Sequence, residues 1–183
     1  MNSTPPSPVE IEFSRPVMVE ALSIGDSRKR LEATPEECAA LAERFGLLTL
    51  QNLTADLMLH RSGHGKRIRI TLKGTISADL SQTCVVTLDP VAARIEAEVE
   101  TIFDSEADEA EEGYEFDDAH EDPGDPIIDG GIDLGETVAQ FLALEIDPFP
   151  RKEGVDEEEM KLESKDSSPN PFAVLEKLKN QPK

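Results

Sequence analysis

Two periods of apolar residues organise the chain, and one gives way to the other at Gly46. Over residues 34–46, Cys38, Leu41, Ala42 and Phe45 recur at the spacing that places them on one face of a helix. Thr34 suits its N-cap and Pro35 its first position, Glu37 stands where a capping box needs an acid, and Gly46 supplies the stop. Beyond Gly46 the period drops to two. Leu53, Ala55, Leu57 and Leu59 alternate with Thr54, Asp56, Met58 and His60. A second run sets Ile68, Ile70, Leu72, Ile76, Ala78 and Leu80 against Arg67, Arg69, Thr71, Lys73, Thr75, Ser77 and Asp79. Residues 62–66, with glycines at 63 and 65, read as the hairpin turn between them. Cys84, Val86 and Leu88 extend the apolar face until Asp89-Pro90 turns the chain. In a third run Ile95, Ala97, Val99, Thr101 and Phe103 face inward and Glu96, Glu98 and Glu100 outward. Consecutive half-buried strands with short connections predict an antiparallel meander with one wet face.

Around this meander the pattern is weaker. Residues 1–8, rich in Ser and Pro, read as a disordered leader, and a short strand is expected over 9–13 or 17–22. Residues 104–126 show no period and hold a dozen acids, which predicts an ill-ordered loop. Ile127-Ile128 and the turn Asp129-Gly130-Gly131 follow it. Asp133 and Glu136 form a second capping pair for a helix through Ile146, with Leu134, Val138, Phe141 and Leu142 as its stripe. Ala143, Leu144 and Ile146 widen that stripe, and Asp147-Pro148 ends the helix. The expected fold is therefore α+β, one domain over 9–150. It has a curled antiparallel sheet, able to close like a barrel, two flanking helices, the acidic loop and a C-terminal tail. A charged linker over 151–168 leads to a short helical motif over 169–180, where Phe172, Leu175 and Leu178 share one side. About ten residues are too few for a stable lone helix. The motif must dock, and the sequence leaves both its own domain and a partner open.

Charge sharpens the picture. The chain has 39 acids and 18 bases, a net charge of -21. Twenty of the acids lie between 96 and 147, and no Lys or Arg occurs from 95 to 150, so the other 19 acids and the 18 bases nearly cancel. Such a block repels bare nucleic acid, DNA included, and attracts basic proteins. With no Trp and one Tyr, the core must be aliphatic. No apolar run approaches the roughly 18 residues of a membrane span, and the start has no basic-then-apolar signal pattern. Two cysteines, 46 positions apart, make a poor disulfide framework. A soluble cytoplasmic protein with reduced thiols is expected.

Nothing in the sequence builds an active site. No Ser or Cys lies in a nucleophile elbow, and acid pairs within 104–125 arise by abundance alone. Calcium-loop spacing fails, because counting from Asp104 puts Glu109 where glycine belongs, and Asp108 gains Gly113 but no flanking helices. Asp129 and Asp133 flank Gly130-Gly131 and repel a phosphate there. No catalytic, metal-ligating or cofactor-binding residue is assigned, and no enzyme is expected. The strongest local contrast is basic. Between Asp56 and Asp79 there is no acid, yet Arg61, Lys66, Arg67, Arg69 and Lys73 all occur. They form a patch for RNA phosphate or an acidic partner, or they pair across strands with Glu96, Glu98 and Glu100. Pairing is favoured for Arg67, Arg69 and Lys73; Arg61 and Lys66, near the turn, are the freer candidates.

The run Gln82-Thr83-Cys84-Val85-Val86-Thr87-Leu88-Asp89-Pro90-Val91 resembles the core signature of the YceD family. So do Ile132-Asp133-Leu134-Gly135-Glu136, the stretch from Leu144 to Lys152, and the ending Asn170-Pro171-Phe172-Ala173-Val174-Leu175. Cys84, Leu88, Pro90, Asp133 and Gly135 are the motif positions. The resemblance implies a bacterial cytoplasmic protein needed for accumulation of large-subunit ribosomal RNA, without known catalysis. Many relatives carry Cys-x-x-Cys where this chain has Cys84-Val85-Val86-Thr87, so no metal or redox role carries over. The expectation is a non-enzymatic assembly factor that binds ribosomal proteins or pre-ribosomal large subunits, with Phe172, Leu175 and Leu178 as its apolar anchor. The alternatives are direct rRNA binding by the hairpin over 60–73 and, least favoured, a magnesium-dependent hydrolase or nuclease. The sequence does not set the oligomeric state.

Overall fold

The computed structural model describes residues 11–64, 67–107 and 124–154. In chain order these form β1 (Pro16–Met18), a 3-10 turn (Val19–Ala21), β2 (Gly25–Glu32) and α1 (Pro35–Phe45). The long strands β3 (Thr49–His64), β4 (Arg67–Thr83) and β5 (Pro90–Asp104) follow, then β6 (Asp125–Pro126), β7 (Gly131–Asp133) and α2 (Leu134–Glu145). One sheet runs β2-β3-β4-β5-β6, antiparallel except where β6 lies parallel to β5, and β1 pairs with β7 in a separate two-stranded sheet. The fold is α+β and the meander is as read. Among the described residues no helix is long and apolar enough to cross a membrane.

The barrel does not form. Closure would join β2 to the far edge, but β5 accepts β6 there, and the Pro126 nitrogen has no hydrogen to donate. At the other edge β2 carries Arg28, Lys29 and Arg30, a charged margin that stays solvated. This strand was not legible in the sequence: only Leu31 of its eight residues is buried, so no alternation marks it. The strand expected over 9–13 or 17–22 is the short β1, and the 3-10 turn occupies Val19–Ala21.

Both helices cover the same face of the large sheet. Cys38, Leu41 and Ala42 of α1 and Leu134, Val138 and Leu142 of α2 pack on Leu53, Leu57, Leu59, Ile70 and Leu72. Each such side chain taken from water contributes about 1.5–3 kcal/mol, so this stripe drives the fold. Local chemistry fixes where α1 begins and ends. Thr34 accepts from the Glu37 N–H at 3.2 Å, the Glu37 carboxylate accepts from the Thr34 N–H at 2.8 Å, and Gly46 takes the left-handed conformation at φ 65°. On α2 the expected stripe is too wide. Leu144 is 78% exposed, because two positions on from Leu142 it falls on the opposite side of the helix, while Ile146 returns to the core.

Cys84, Val86 and Leu88 do not prolong β4, which ends at Thr83. Cys84 N–H donates to Asp89 O at 2.8 Å and Leu88 N–H to Cys84 O at 3.1 Å, closing a tight loop that holds Leu88 at φ 62°. Leu88 is exposed, whereas Cys84 is fully covered, with both its own loop and the backbone of Lys152 against it. The Thr87 side chain, then the backbone N–H groups of Thr87, Lys152 and Val86, draw the Cys84 pKa down to about 6 against the opposing effect of burial. Cys38 is the reverse case, a core thiol that burial pushes up.

This contrast predicts an order of reactivity. In mass-mapped alkylation of the native protein, Cys84 should be modified first, through opening of its loop, and Cys38 only with global unfolding. Equal rates at the two thiols would contradict it.

Candidate partner-binding surface

The sheet face away from the helices carries nearly all the charge. Register lays it out in rows: Ser62, Arg69 and Asp104; Met58, Lys73 and Glu100; Asp56, Thr75 and Glu98; Thr54, Ser77 and Glu96. Strand β2 adds Arg28 beside Met58 and Arg30 beside Asp56. The three hairpin bases on β4 meet acids directly. Lys73 Nζ lies 2.6 Å from Glu100, Arg69 Nε 3.0 Å from Asp104 and Arg67 Nε 2.8 Å from Glu106. Of the partners expected for them only Glu100 takes one, because the register sets Asp104 opposite Arg69, while Glu96 pairs with Arg94 on its own strand. Exposed pairs like these contribute about 0–1 kcal/mol each. Their larger effect is on the field, because each removes one positive charge from the face.

The two freer candidates part company. Strand β3 continues through His64, so Arg61 lies within it, opposite Ile70 on the helix-covered side. Its half-buried guanidinium donates to the Leu22 carbonyl, and its Nε is buried without a partner among the described residues. That geometry ties the segment before β2 to the sheet and leaves little of the group for a ligand. Lys66 lies outside the described residues, as do Phe172, Leu175 and Leu178.

The basic feature that sequence reasoning missed is the β2 edge, where Arg28 and Arg30 share the face away from the helices and Lys29, opposite Leu57, takes the other. Arg28 and Lys29 are exposed and carry no ion pair among the described residues, while Arg30 stands a loose 3.8 Å from Asp56. Arg28, Asp56, Leu57, Met58, Lys73 and Gly74 line a shallow depression of about 470 Å³ there, so an acid lies among its bases. The triplet of consecutive bases was the available signal, hidden because the segment does not alternate. Among the described residues no three His, Cys, Asp or Glu side chains gather as a metal site.

The remaining motif positions build scaffold. The Asp133 side chain caps α2, accepting from Gly135 N–H at 2.9 Å and Glu136 N–H at 3.1 Å. It also accepts from Arg15 N–H at 2.8 Å and from the Ser14 hydroxyl. Glu136 does not complete a capping box; its carboxylate takes Arg44 at 2.8 Å, and Arg44 also reaches Glu12. Arg15 in turn grips Glu37 through both guanidinium nitrogens, at 2.7 and 2.8 Å. The strip from Glu12 to Arg15 is thus clamped between the helices. It passes so close to α2 that a Cβ on Gly135 would stand 2.3 Å from Phe13 O. Burial pushes the Asp133 pKa up, but the bonds from Arg15, Ser14, Glu136 and Gly135 outweigh it and hold it below 3.8. Pro90 opens β5 opposite Thr83.

A family model described as Large ribosomal RNA subunit accumulation protein YceD matches residues 72–179. No curated protein and no solved structure matches the chain.

Asp133→Ala should cost about 2 kcal/mol, from a lost cap and the polar groups left unpaired. The sign of the pH effect follows from the depressed folded-state pKa: the contribution is full above the unfolded value and disappears as pH falls through the folded one. In urea titrations the stability gap between wild type and Asp133→Asn should therefore narrow below about pH 4. A gap independent of pH would refute the assignment. Arg61→Ala should lower stability by about 1 kcal/mol and leave any RNA affinity unchanged, read by melting and gel shift on the same sample.

Proposed function

This chain belongs to the YceD family of large ribosomal RNA subunit accumulation proteins, and on that premise we propose that it is a non-catalytic assembly factor that binds basic ribosomal proteins or pre-ribosomal large subunits. Its role is in large-subunit rRNA accumulation. The observation that carries the binding mode is the pairing of Lys73, Arg69 and Arg67 with Glu100, Asp104 and Glu106. With those bases compensated, the side of the sheet around β5 presents an excess of carboxylate, including the exposed Glu98. The acids over 108–118 add to the same sign. An anionic surface of this kind speeds the approach of Lys- and Arg-rich tails and excludes bare RNA.

A second reading, direct contact with RNA phosphates, draws support from Arg28 and Lys29 on the β2 edge, more than from the paired bases of the hairpin over 60–73. The two separate by charge substitution. Replacing the seven acids at 108, 109, 111, 112, 115, 117 and 118 with their amides should slow association with purified large-subunit proteins about tenfold or more at low salt. The wild type should lose affinity for the same proteins as salt rises. Unchanged association rates in the amide variant, or no co-sedimentation with large-subunit particles at either salt, would overturn the proposal.

A further inference from the structure

We propose that the groove between α1 and the start of β3 is the docking site of this chain's own terminal segment, residues 170–179. The groove has a volume of about 710 Å³. Its floor includes Ala39, Ala42, Leu47 and Leu48, and Leu48 is 50% exposed, the kind of apolar surface that folding normally covers. Glu32 and Glu43 stand on its rim, exposed and without an ion pair among the described residues.

The terminal segment is complementary on three counts. Phe172, Leu175 and Leu178 recur at the spacing of one helical face, which fits helix-in-groove recognition. Lys177 and Lys179 outnumber Glu176, so its charge opposes that of the rim. A helix of about ten residues needs an apolar surface to persist, and this groove needs a cover.

The tether also fits. Val85 N–H donates to Pro150 O at 2.9 Å and Lys152 pairs with Asp89 at 2.9 Å, which fixes where the chain leaves the domain. Leu48 N–H donates to Ser81 O at 2.8 Å, so the groove and the exit point hang on the same stretch of chain. From Ser81 to Val85 is at most about 14 Å, even fully extended. The 15 residues over 155–169 can reach up to roughly 50 Å, several times that distance. The segment therefore meets the groove at a millimolar effective concentration without strain.

Hydrogen–deuterium exchange on the full chain tests this. Amides over 172–179 should exchange about tenfold or more slower than in an unstructured chain, at every protein concentration. The protection should vanish in Leu48→Glu, a surface substitution whose fold is checked by far-UV circular dichroism, and in Phe172→Ser with Leu175→Ser. Coil-like exchange in the wild type would overturn the proposal, as would protection that survives Leu48→Glu. Protection that grows with protein concentration would assign the groove to a second copy. Protection seen only with added large-subunit particles would assign the segment to a ribosomal partner.

Discussion

Among the described residues both helices lie on one face of the large sheet, so every second residue of β3, β4 and β5 faces away from them and meets its cross-strand neighbour. That condition dictates the electrostatics. Strand β5 presents Glu96, Glu98 and Glu100 on its wet side, and the register sets Lys73 against Glu100 and Arg69 against Asp104. The pairs add little to stability in high dielectric. They nevertheless decide what the surface looks like from a distance, since a patch that is basic in the sequence becomes compensated in the sheet. The carboxylates left over then set the field that an approaching protein or RNA encounters.

The dry face imposes a second condition, that both helices be anchored at their N-termini where the sheet ends. Asp133 does this for α2 and ties in Arg15 and Ser14 at the same time. The strip it holds passes on to Glu37 and Arg44 of α1 through Arg15, Glu12 and Glu136. The family match begins at residue 72, yet Asp133 and Gly135 make their close contacts with residues 13–15. The matched region is therefore completed by chain that precedes it: residues before 72 supply about half of the buried core, and Phe13, Ser14 and Arg15 supply the partners of its motif positions.

What could be read from the sequence follows the same division. Helix α1 and the strands β3, β4 and β5 were legible because burial on one face prints a period, and because Thr34, Glu37 and Gly46 act locally. Strand β2 was not, since an edge strand with one buried residue prints none. The loop over 84–89 was misread because apolar residues happened to alternate across a turn held by backbone hydrogen bonds. Leu144 shows that an apolar residue off the helical period widens a stripe only on paper, since it faces away from Leu142. Arg61 is instructive. It shares the parity of Leu57 and Leu59, so the alternation already placed it on the covered face, and only the assumption of a wider turn at 62–66 concealed this. The clamp was half legible, as a cap at Asp133, but its reach across the chain to Ser14 needs the tertiary fold.

The sheet is left with unlike margins. Arg28 and Lys29 lie on β2, with no ion pair among the described residues, and the carboxylates of β5 lie three strands away. At about 4.8 Å per strand that separation is roughly 14 Å. The Debye length in physiological salt is about 8 Å, so the two margins are felt separately and do not cancel. On the function proposed above, a basic protein tail would be drawn to the β5 side and a polyanion tolerated along β2. A particle that offers both, as any piece of a ribosomal subunit does, would meet this domain in one orientation, with protein toward β5 and RNA toward β2.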